Sequence, residues 1–361
     1  TCGTCGRFVC AACLLDWTGC ERRVPIEVRL GTGSRLRDVE PTGRLGLVSH
    51  WRRRARLLDL RRLCWITTAV KPPRWRSQMA LTRDGAIIES FFVPAPASTS
   101  PNAPQAFAGL RRVWLARRAV EVWGDVGPIG RGLEIGRRGT AAWYVRSDET
   151  MQLLHLDAPA PLRASHLAPL PGKVVQSVHL DEARGLVAAG SWAEVALYRI
   201  EEERLALLSA ARLGSGDVPW IAIAGPRLVA LVVSQTTATL RSWALGQPLR
   251  RSGEQSRAIA GRALPLGSAT PDGRFVALAR GDRTIELHDL ERQDALELEG
   301  HTDDVCLVRF VADGRLLVTA DLDNRVILRP RGPGGFSGAV TRRPIEPEGL
   351  PLAEALAPAR R

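Results

Sequence analysis

The sequence is poor in lysine, in aromatic residues and in long apolar runs. Only two of its 50 basic residues are lysine, Lys71 and Lys173, and aromatic residues make up 5% of the 361 positions. No run approaches the roughly 18 consecutive apolar residues that a membrane-spanning helix requires, which excludes a helical membrane protein. The chain is nevertheless 45% hydrophobic, so it can bury a sizeable core and is not disordered as a whole.

Sequence motifs of enzymes are also missing. There is no HExxH zinc motif, no GxSxG nucleophile elbow and no GxxxxGK[ST] phosphate loop, and no GxGxxG follows a strand and opens a helix. The six histidines lack the spacing of a metal-binding pair; they are His50, His155, His166, His179, His288 and His301. These absences predict a protein without catalysis of its own.

The formal net charge is +12, from 50 basic and 38 acidic residues. A composition heavy in arginine, alanine and leucine is typical of a GC-rich bacterial genome, although a basic surface also attracts polyanions. Nucleic-acid binding is therefore the lesser alternative, because the charge is present without an accompanying motif. No charged-then-apolar leader is visible at the start of the sequence, which favours a cytoplasmic location.

Five of the seven cysteines lie within the first twenty residues: Cys2, Cys5, Cys10, Cys13 and Cys20. The first four form two CxxC pairs separated by four residues, and four thiolates in such pairs close a tetrahedral zinc site. A disulfide framework, two thioredoxin-like redox motifs and an iron-sulfur cluster are the alternatives. The absence of a leader argues against disulfides, the absence of a βαβ context argues against redox motifs, and the spacing argues against an iron-sulfur cluster. Residues 1–23 are therefore predicted to form a Zn²⁺-binding module.

The stretch CGTCGRFVCAAC resembles the middle of a B-box-like or FYVE-like zinc finger over about twenty residues. In such cross-braced fingers, neighbouring CxxC pairs serve different zinc ions. The resemblance implies that each pair takes further ligands, of which Cys20 is one and the others would precede Thr1. A single zinc held by Cys2, Cys5, Cys10 and Cys13 remains the alternative.

A repeat runs through the remainder of the chain. The segments GRFVALARGDRTIELHDL and GRLLVTADLDNRVILRP superpose without gaps, and each combines an apolar strand, a polar turn and a second alternating strand. Comparable units have anchor residues at positions 43, 85, 139, 185, 227, 273 and 314. The spacing averages about 45 residues, which is the period of a propeller blade. The one long interval contains PAPASTSPNAPQ, predicted to be a surface loop.

These units resemble WD-repeat β-propellers, most closely between Leu298 and Arg329. Gly300 and His301 stand for the glycine-histidine pair of that family, and Asp323 stands for its turn aspartate. The family's tryptophan is absent, because Arg329 holds its place, and His288, Leu154 and Leu58 fill the equivalent positions of other repeats. The resemblance implies an all-β, seven-bladed propeller in which apolar packing replaces most of the polar network that locks such blades.

The predicted propeller spans residues 24–335. A closed ring requires its ends to meet, and either Ile26–Leu30 or Phe336–Thr341 could complete the last blade. Residues 336–361 are rich in proline and arginine and predict a disordered tail with at most one short helix at Leu352–Leu356. The turn aspartates Asp148, Asp282 and Asp323 are predicted to cap turns rather than to act in catalysis.

The densest positive segment is Arg52, Arg53 and Arg54 with Arg56, Arg61 and Arg62; it lies beside Trp51, where other repeats have a turn. A solvated hairpin tip is one interpretation; the other is a partner-binding site in which Trp51 stacks and the arginines pair with an anionic group. Most other tryptophans lie in apolar strands and are predicted to be core, including Trp65, Trp192, Trp220 and Trp243.

Together these features predict a non-catalytic scaffold of a bacterial cytoplasmic assembly, a monomer that binds other proteins within a larger complex. A propeller enzyme with a site in the central channel is the alternative from another class. The third class is a nucleic-acid binder that uses the zinc finger and the Arg52–Arg54 segment.

Overall fold

The computed structural model describes residues 25–50, 53–67, 79–83, 85–93, 107–114, 119–123, 129–136, 141–146, 151–155, 164–167, 175–201, 205–234, 237–245, 249, 255–259, 263–332, 334–336, 341–343 and 346–351. Within these ranges the protein is all-β, and none of them contains a helix that could cross a membrane. The predicted fold class is confirmed in this respect.

The described strands form seven sheets, six of which have four consecutive strands at their centre. Strand β1 (Ile26–Arg29) belongs to the last sheet. Sheet 1 contains β2 (Ser34–Val39), β3 (Leu45–His50), β4 (Arg53–Asp59) and β5 (Cys64–Thr67). Sheet 2 contains β6 (Met79–Leu81), β7 (Ala86–Val93), β8 (Phe107–Trp114) and β9 (Ala119–Trp123). Sheet 3 contains β10 (Ile129–Ile135), β11 (Ala141–Arg146), β12 (Met151–His155) and β13 (Ala164–Leu167).

The second half of the chain repeats this pattern. Sheet 4 contains β14 (Val175–Asp181), β15 (Leu186–Ser191), β16 (Glu194–Ile200) and β17 (Leu205–Arg212). Sheet 5 contains β18 (Asp217–Ala224), β19 (Arg227–Val233), β20 (Ala238–Ala244) and β21 (Gln255–Ile259). Sheet 6 contains β22 (Ala263–Ala269), β23 (Phe275–Arg280), β24 (Ile285–Asp289) and β25 (Asp294–Leu298). Sheet 7 contains β26 (Val305–Val311), β27 (Leu316–Asp321) and β28 (Arg325–Gly332), together with β1, β29 (Gly335–Phe336) and β30 (Thr341–Arg343). The last strand in chain order, β31 (Glu346–Pro351), joins sheet 1.

Each sheet is an antiparallel meander whose first strand faces the centre. A cavity of about 280 Å³ is lined by the first strands, or the turns that follow them, of all seven sheets. Hydrophobic clusters fill the spaces between neighbouring sheets: Leu278 and Val276 pack with Trp220 and Leu231, for example, across the junction of sheets 5 and 6. Because both faces of a sheet are covered, its second strand is largely apolar, and in sheet 7 every residue of Leu316–Asp321 is buried.

Strand β1 completes sheet 7. Ile26 pairs with Leu328 and Arg29 pairs with Arg325, in antiparallel register along β28. The backbone amide of Leu30 also donates to the Asn324 oxygen at 3.0 Å. The expectation that Ile26–Leu30 completes the last blade is therefore confirmed, and a strand from the start of the chain joins the sheet formed near its end.

The expectation of a disordered tail is corrected for two segments. Strand β30 adds to β1 in parallel, and β31 adds in parallel to β5, the outermost strand of sheet 1. Proline and arginine do not prevent this pairing, because the free edges of β1 and β5 supply backbone partners whatever the side chains of the added strand. The helix considered at Leu352–Leu356 lies outside the described residues.

The glycine anchors mark the turns between the first and second strands, here called AB turns. Gly43, Gly273 and Gly314 have φ angles of +73°, +79° and +79°, which favour glycine. In sheets 1, 6 and 7 the second strand begins two residues after its anchor, at Leu45, Phe275 and Leu316. The repeat period thus marks real hairpins.

Candidate interaction surface

The AB turns lie together on one face of the ring. A Cβ atom on Gly273 would lie 2.5 Å from the Ala224 oxygen, and one on Gly314 would lie 3.0 Å from Pro271. These glycines are therefore required where the AB turns of sheets 5, 6 and 7 meet. The turns between second and third strands, here called BC turns, lie at the other ends of the second strands and so occupy the opposite face.

Trp192 is exposed in the BC turn of sheet 4. It lies between the paired residues Ser191 and Glu194, and 54% of its surface is accessible. Ala193, the second residue of this turn, has a φ of +56°, as a tight two-residue hairpin requires. The interpretation of Trp192 as a core residue is therefore wrong, whereas Trp220 and Trp243 are buried as predicted.

The predicted partner-binding residues fall at the same place in sheet 1. Trp51 and Arg52 lie outside the described residues, but the strands that flank them pair through His50 and Arg53. Arg53 and Arg54 begin strand β4. In the sequence, Trp51 and Trp192 are each the first of two residues between the paired ends of a second and a third strand. That shared position, between an apolar strand and its partner, could have identified Trp192 from the sequence.

Two arginines stack on tryptophans in the described parts of sheets 1 and 2. The guanidinium carbon of exposed Arg56 lies 3.9 Å from the centre of the Trp65 ring, and that of Arg112 lies 3.9 Å from the centre of the Trp114 ring. Such cation-π contacts hold the planar guanidinium in place at little entropic cost. Trp65 is therefore partly covered by its own sheet and packs against the core rather than standing free.

A polar network in sheet 7 surrounds His301. Its Nδ1 lies 3.1 Å from Asp321 Oδ2, and its Nε2 lies 2.8 Å from the Thr319 hydroxyl. The expected turn aspartate, Asp323, instead accepts a hydrogen bond from the Thr302 hydroxyl at 3.1 Å. The aspartate that contacts His301 is therefore Asp321, which lies at the end of β27 and points inward.

Arg329 completes this network in the position where the family has tryptophan. It is fully buried, donates to Thr319 Oγ1 at 3.2 Å and donates to the backbone oxygen of Glu299. Burial lowers the pKa of Arg329 to about 10. Burial also lowers the pKa of His301, although Asp321 opposes this shift, so the ring is neutral near pH 7. The arrangement replaces a large aromatic ring with hydrogen bonds from a buried cation.

Polar side chains of the first strands join neighbouring sheets near the central cavity. Asp38 accepts the Leu81 amide at 2.8 Å, His179 Nδ1 accepts the Ile223 amide at 3.2 Å, and Ser268 Oγ accepts the Phe310 amide at 2.9 Å. Each acceptor lies two residues before its AB turn, and each donor belongs to the next sheet. The groups that line the cavity thus bind backbone of the following sheet.

Of two further turn aspartates, Asp282 caps its turn as predicted and Asp148 lies outside the described residues. Asp282 Oδ1 accepts the Thr284 amide at 3.3 Å and the Thr284 hydroxyl at 2.6 Å, which confirms its role as a turn cap. Asp148 lies outside the described residues, as do Cys2, Cys5, Cys10, Cys13 and Cys20. Within the described ranges, no group of three or more histidine, cysteine or acidic side chains is placed to hold a metal ion.

The remaining two cysteines are core thiols. Cys64 is buried in β5, and Cys306 is half-buried at the start of β26. Burial raises the pKa of Cys306 to about 11, although Arg37 and Arg35 oppose this shift. Its thiolate is therefore scarce near pH 7, which makes this cysteine a poor nucleophile and a poor metal ligand.

Comparison with known proteins supports the fold rather than a function. No protein-family model matches the chain, and no curated protein matches it in sequence. The structure is similar to the crystal structure of the β-propeller domain of Cps50 (Swd1) from Myceliophteria thermophila, with a TM-score of 0.59 and 11% sequence identity. The match covers 84% of this chain and 99% of that chain. The chain thus has a β-propeller fold.

Proposed function

We propose that the protein is a non-catalytic scaffold that binds other proteins through the BC-turn face of a closed seven-bladed ring. The observation that carries this proposal is Trp192, a large aromatic side chain exposed at the tip of a tight turn. Tryptophan and arginine are enriched at the energetic centres of interfaces, so an exposed tryptophan on a rigid turn is a suitable anchor for a partner. In the sequence of sheet 1, Trp51 and Arg52 are the two residues between the paired His50 and Arg53.

The ring supports this role because it holds these turns at fixed separations. The first strands of all seven sheets surround one cavity, and β1 ties the start of the chain to sheet 7. Turns fixed in this way lose little conformational entropy on binding. We place the scaffold in the cytoplasm of a bacterium, as a monomer within a larger complex, on the grounds of its composition.

The test compares partner binding by the wild-type chain with binding by two variants. A protein recovered with the wild-type chain from its native organism is purified, and its affinity is measured for Trp51→Ala with Arg53→Ala and for Trp192→Ala. Each variant should weaken binding by roughly tenfold or more and leave the melting temperature nearly unchanged.

Leu296→Ala is the matched control, because Leu296 is also exposed but lies in the outermost strand of sheet 6 rather than in a BC turn. Its affinity should equal that of the wild type. Unchanged affinity in both tryptophan variants would rule out this face, and turnover of a small substrate by the isolated chain would overturn the non-catalytic role.

We also propose that residues 1–23 bind one or two zinc ions through Cys2, Cys5, Cys10 and Cys13, with Cys20 as a further ligand. The spacing of the two CxxC pairs supports this proposal. Elemental analysis should find zinc, and a chelator should release it and expose the thiols. Because structural zinc energy is local folding energy, the propeller should keep its unfolding transition. Metal-free protein with reactive thiols that a chelator does not affect would contradict the proposal.

A further inference from the structure

Sheet 1 is strongly basic because its few carboxylates are used internally. Residues 34–67 contain nine arginines and three acidic residues. The three acidic residues, Asp38, Glu40 and Asp59, are all buried. Asp59 Oδ1 accepts the amides of Arg61 and Arg62 at 2.8 and 2.9 Å. Three carboxylates do not balance nine arginines in number, although Asp59 and Glu40 attract Arg61. The outer end of this sheet therefore carries excess positive charge.

The turn between β4 and β5 concentrates that charge. Arg44 and Arg61 approach each other there, since the Leu60 amide donates to the Arg44 oxygen at 2.8 Å. Burial and the neighbouring charge of Arg44 lower the pKa of Arg61, and Arg315 of sheet 7 adds to this shift, although Asp59 and Glu40 oppose it. The buried Nε of Arg61 has no hydrogen-bond partner among the described residues.

The equivalent turn of sheet 6 shows that the fold does not require this charge. Asp289 accepts the amides of Glu291 and Arg292 just as Asp59 does for its turn, and the Leu290 amide donates to the Arg274 oxygen. At the position of Arg61 this turn has Glu291, whose carboxylate lies 3.4 Å from Arg274. The same backbone thus accepts an attractive pair in sheet 6 and a repulsive one in sheet 1.

The chain places its own acidic strand beside the basic turn. Strand β31 has the sequence EPEGLP. Its Glu346 is the register partner of Cys64, and Cys64 lies two residues after Arg62 in the sequence. The preceding strand, β30, has the sequence TRR and pairs with β1 so that Arg342 is the register partner of Glu27. In β31 the two glutamates thus lie on the strand that joins the arginine-rich sheet.

We propose that the outer edge of β5 is a docking site for an acidic, extended strand of a partner protein, and that β31 fills this site when no partner is bound. Parallel strand addition supplies backbone hydrogen bonds, and the arginine cluster selects for acidic residues at the start of the strand. This proposal rests on the interaction role proposed above but concerns a separate surface. A partner strand competes with β31, whose covalent attachment gives it a high effective concentration.

A labelled peptide with the sequence of residues 338–356 is the probe. It is titrated against the wild-type full chain and against a full-chain variant in which Glu346→Arg and Glu348→Arg weaken the attached strand. The variant should bind the peptide at least roughly tenfold more tightly than the wild type, because its own strand no longer competes. Raising the salt concentration should weaken this binding, since the selection is electrostatic.

Three matched controls accompany the titration. Glu354→Arg in the full chain, beyond β31, should bind the peptide as the wild type does. In the double-variant chain, adding Arg62→Glu should abolish the gain, whereas adding Arg292→Glu in the equivalent turn of sheet 6 should preserve it. A peptide with both glutamates changed to arginine should not bind the double-variant chain. Equal affinity for the two peptides, or no binding of either, would overturn the proposal.

Hydrogen exchange on the unaltered chain keeps the proposal testable if the double variant fails to fold. Excess isotope-labelled peptide should increase exchange in residues 346–351 and leave residues 64–67 protected. No change in exchange would contradict the proposal. A concentration-dependent dimer that forms by swapping β31 would assign this edge to a second copy of the chain and would also overturn it. Because the probe is the chain's own sequence, these results do not depend on the Trp192 surface.

Discussion

The AB turns of sheets 1 and 6 are closed by similar hydrogen bonds, but the carboxylate and the hydroxyl side chain exchange positions. In sheet 1, Glu40 precedes the turn and its Oε1 accepts the Thr42 hydroxyl at 2.5 Å, the Arg44 amide at 2.6 Å and the Leu45 amide at 3.3 Å. The backbone of the turn closes through the Gly43 amide, which donates to the Glu40 oxygen at 3.0 Å.

In sheet 6, the hydroxyl comes first and the carboxylate second. The Thr270 hydroxyl donates to Asp272 Oδ1 at 2.5 Å and accepts the Phe275 amide at 2.9 Å, while Asp272 Oδ1 accepts the Arg274 amide at 3.0 Å. The Gly273 amide again donates to the first residue of the turn, at 3.0 Å.

The exchange decides where the negative charge lies. Glu40 is 1% exposed and can act only within its turn, whereas the Asp272 side chain is 46% exposed and also pairs with Arg331 of sheet 7 at 2.5 Å. One backbone design therefore yields a neutralised surface in sheet 6 and a basic one in sheet 1. Local hydrogen bonding dictates the turn, but residue order dictates the surface charge.

Removing part of sheet 6 should have the largest effect on stability. Deletion of residues 273–290 takes out β23 and β24, which separate the hydrophobic clusters that sheet 6 shares with its two neighbours. We expect the whole ring to lose cooperative unfolding, measured by circular dichroism during denaturation. A soluble monomer with a single sharp transition would indicate an open repeat array, whose stability is a sum over neighbouring units.

Exchanging residues within the AB turn of sheet 1 should show whether the turns of sheets 1 and 6 are interchangeable. Glu40→Ala leaves the buried amides of Arg44 and Leu45 without their acceptor and should lower the free energy of unfolding by about 2–4 kcal/mol. Glu40→Thr combined with Thr42→Asp recreates the arrangement of sheet 6 and should recover at least half of that loss. Denaturant titration measures both, and a double variant no more stable than Glu40→Ala would show that the two turns are not interchangeable.

Sheet 7 has neither arrangement, since Val311 stands at the position of Glu40, and we expect its stability to depend on pH through His301. Because burial lowers the pKa of this histidine in the folded state, protonation favours the unfolded chain. Its contribution is complete above the unfolded pKa of about 6.5 and is lost as the pH falls below that value. Unfolding midpoints at pH 7.5 and 5.5 should differ more for the wild type than for His301→Asn.

The smallest effect is expected at Asp272. Burial alone would raise the pKa of this carboxyl, but hydrogen bonds from Thr270 and Arg331 hold it below its usual value. The resulting stability is present above about pH 3.9 and is lost as the pH falls through the lower folded value. Asp272→Asn should therefore cost under about 1 kcal/mol at pH 7 and should flatten the acid limb of the stability profile. An unchanged acid limb would contradict the assignment.

The repeat period predicted most of the fold because each hairpin needs a residue with positive φ at a fixed distance before an apolar strand. Gly43, Gly273 and Gly314 meet that requirement, so spacing alone located their sheets. The period could not reveal that β31 adds to β5. Strand addition depends on a free edge formed by distant residues, and nothing within EPEGLP favours a strand over a loop.

The candidate surface was predicted in part. The segment at Trp51 is predicted to bind a partner because arginines are dense there in the sequence. Trp192 has no charged neighbour in the sequence closer than Glu194, and its apolar surroundings predict a core residue. Asp321 and Asp323 lie two residues apart, and spacing alone cannot tell which carboxylate turns inward toward His301. Such choices depend on backbone direction at one residue, which composition and periodicity do not specify.

Strand β1 has a consequence for how the chain is made. Its register partner in β28 lies about 300 residues later in the sequence, so at roughly 5–20 residues per second the ribosome takes about 15 to 60 seconds to supply that partner. Throughout this interval Ile26, Val28 and Leu30, which are buried in the finished ring, have no sheet to join. The nascent chain must therefore carry an apolar, unpaired strand until β28 is made, and a chaperone that binds such segments would protect it during this interval.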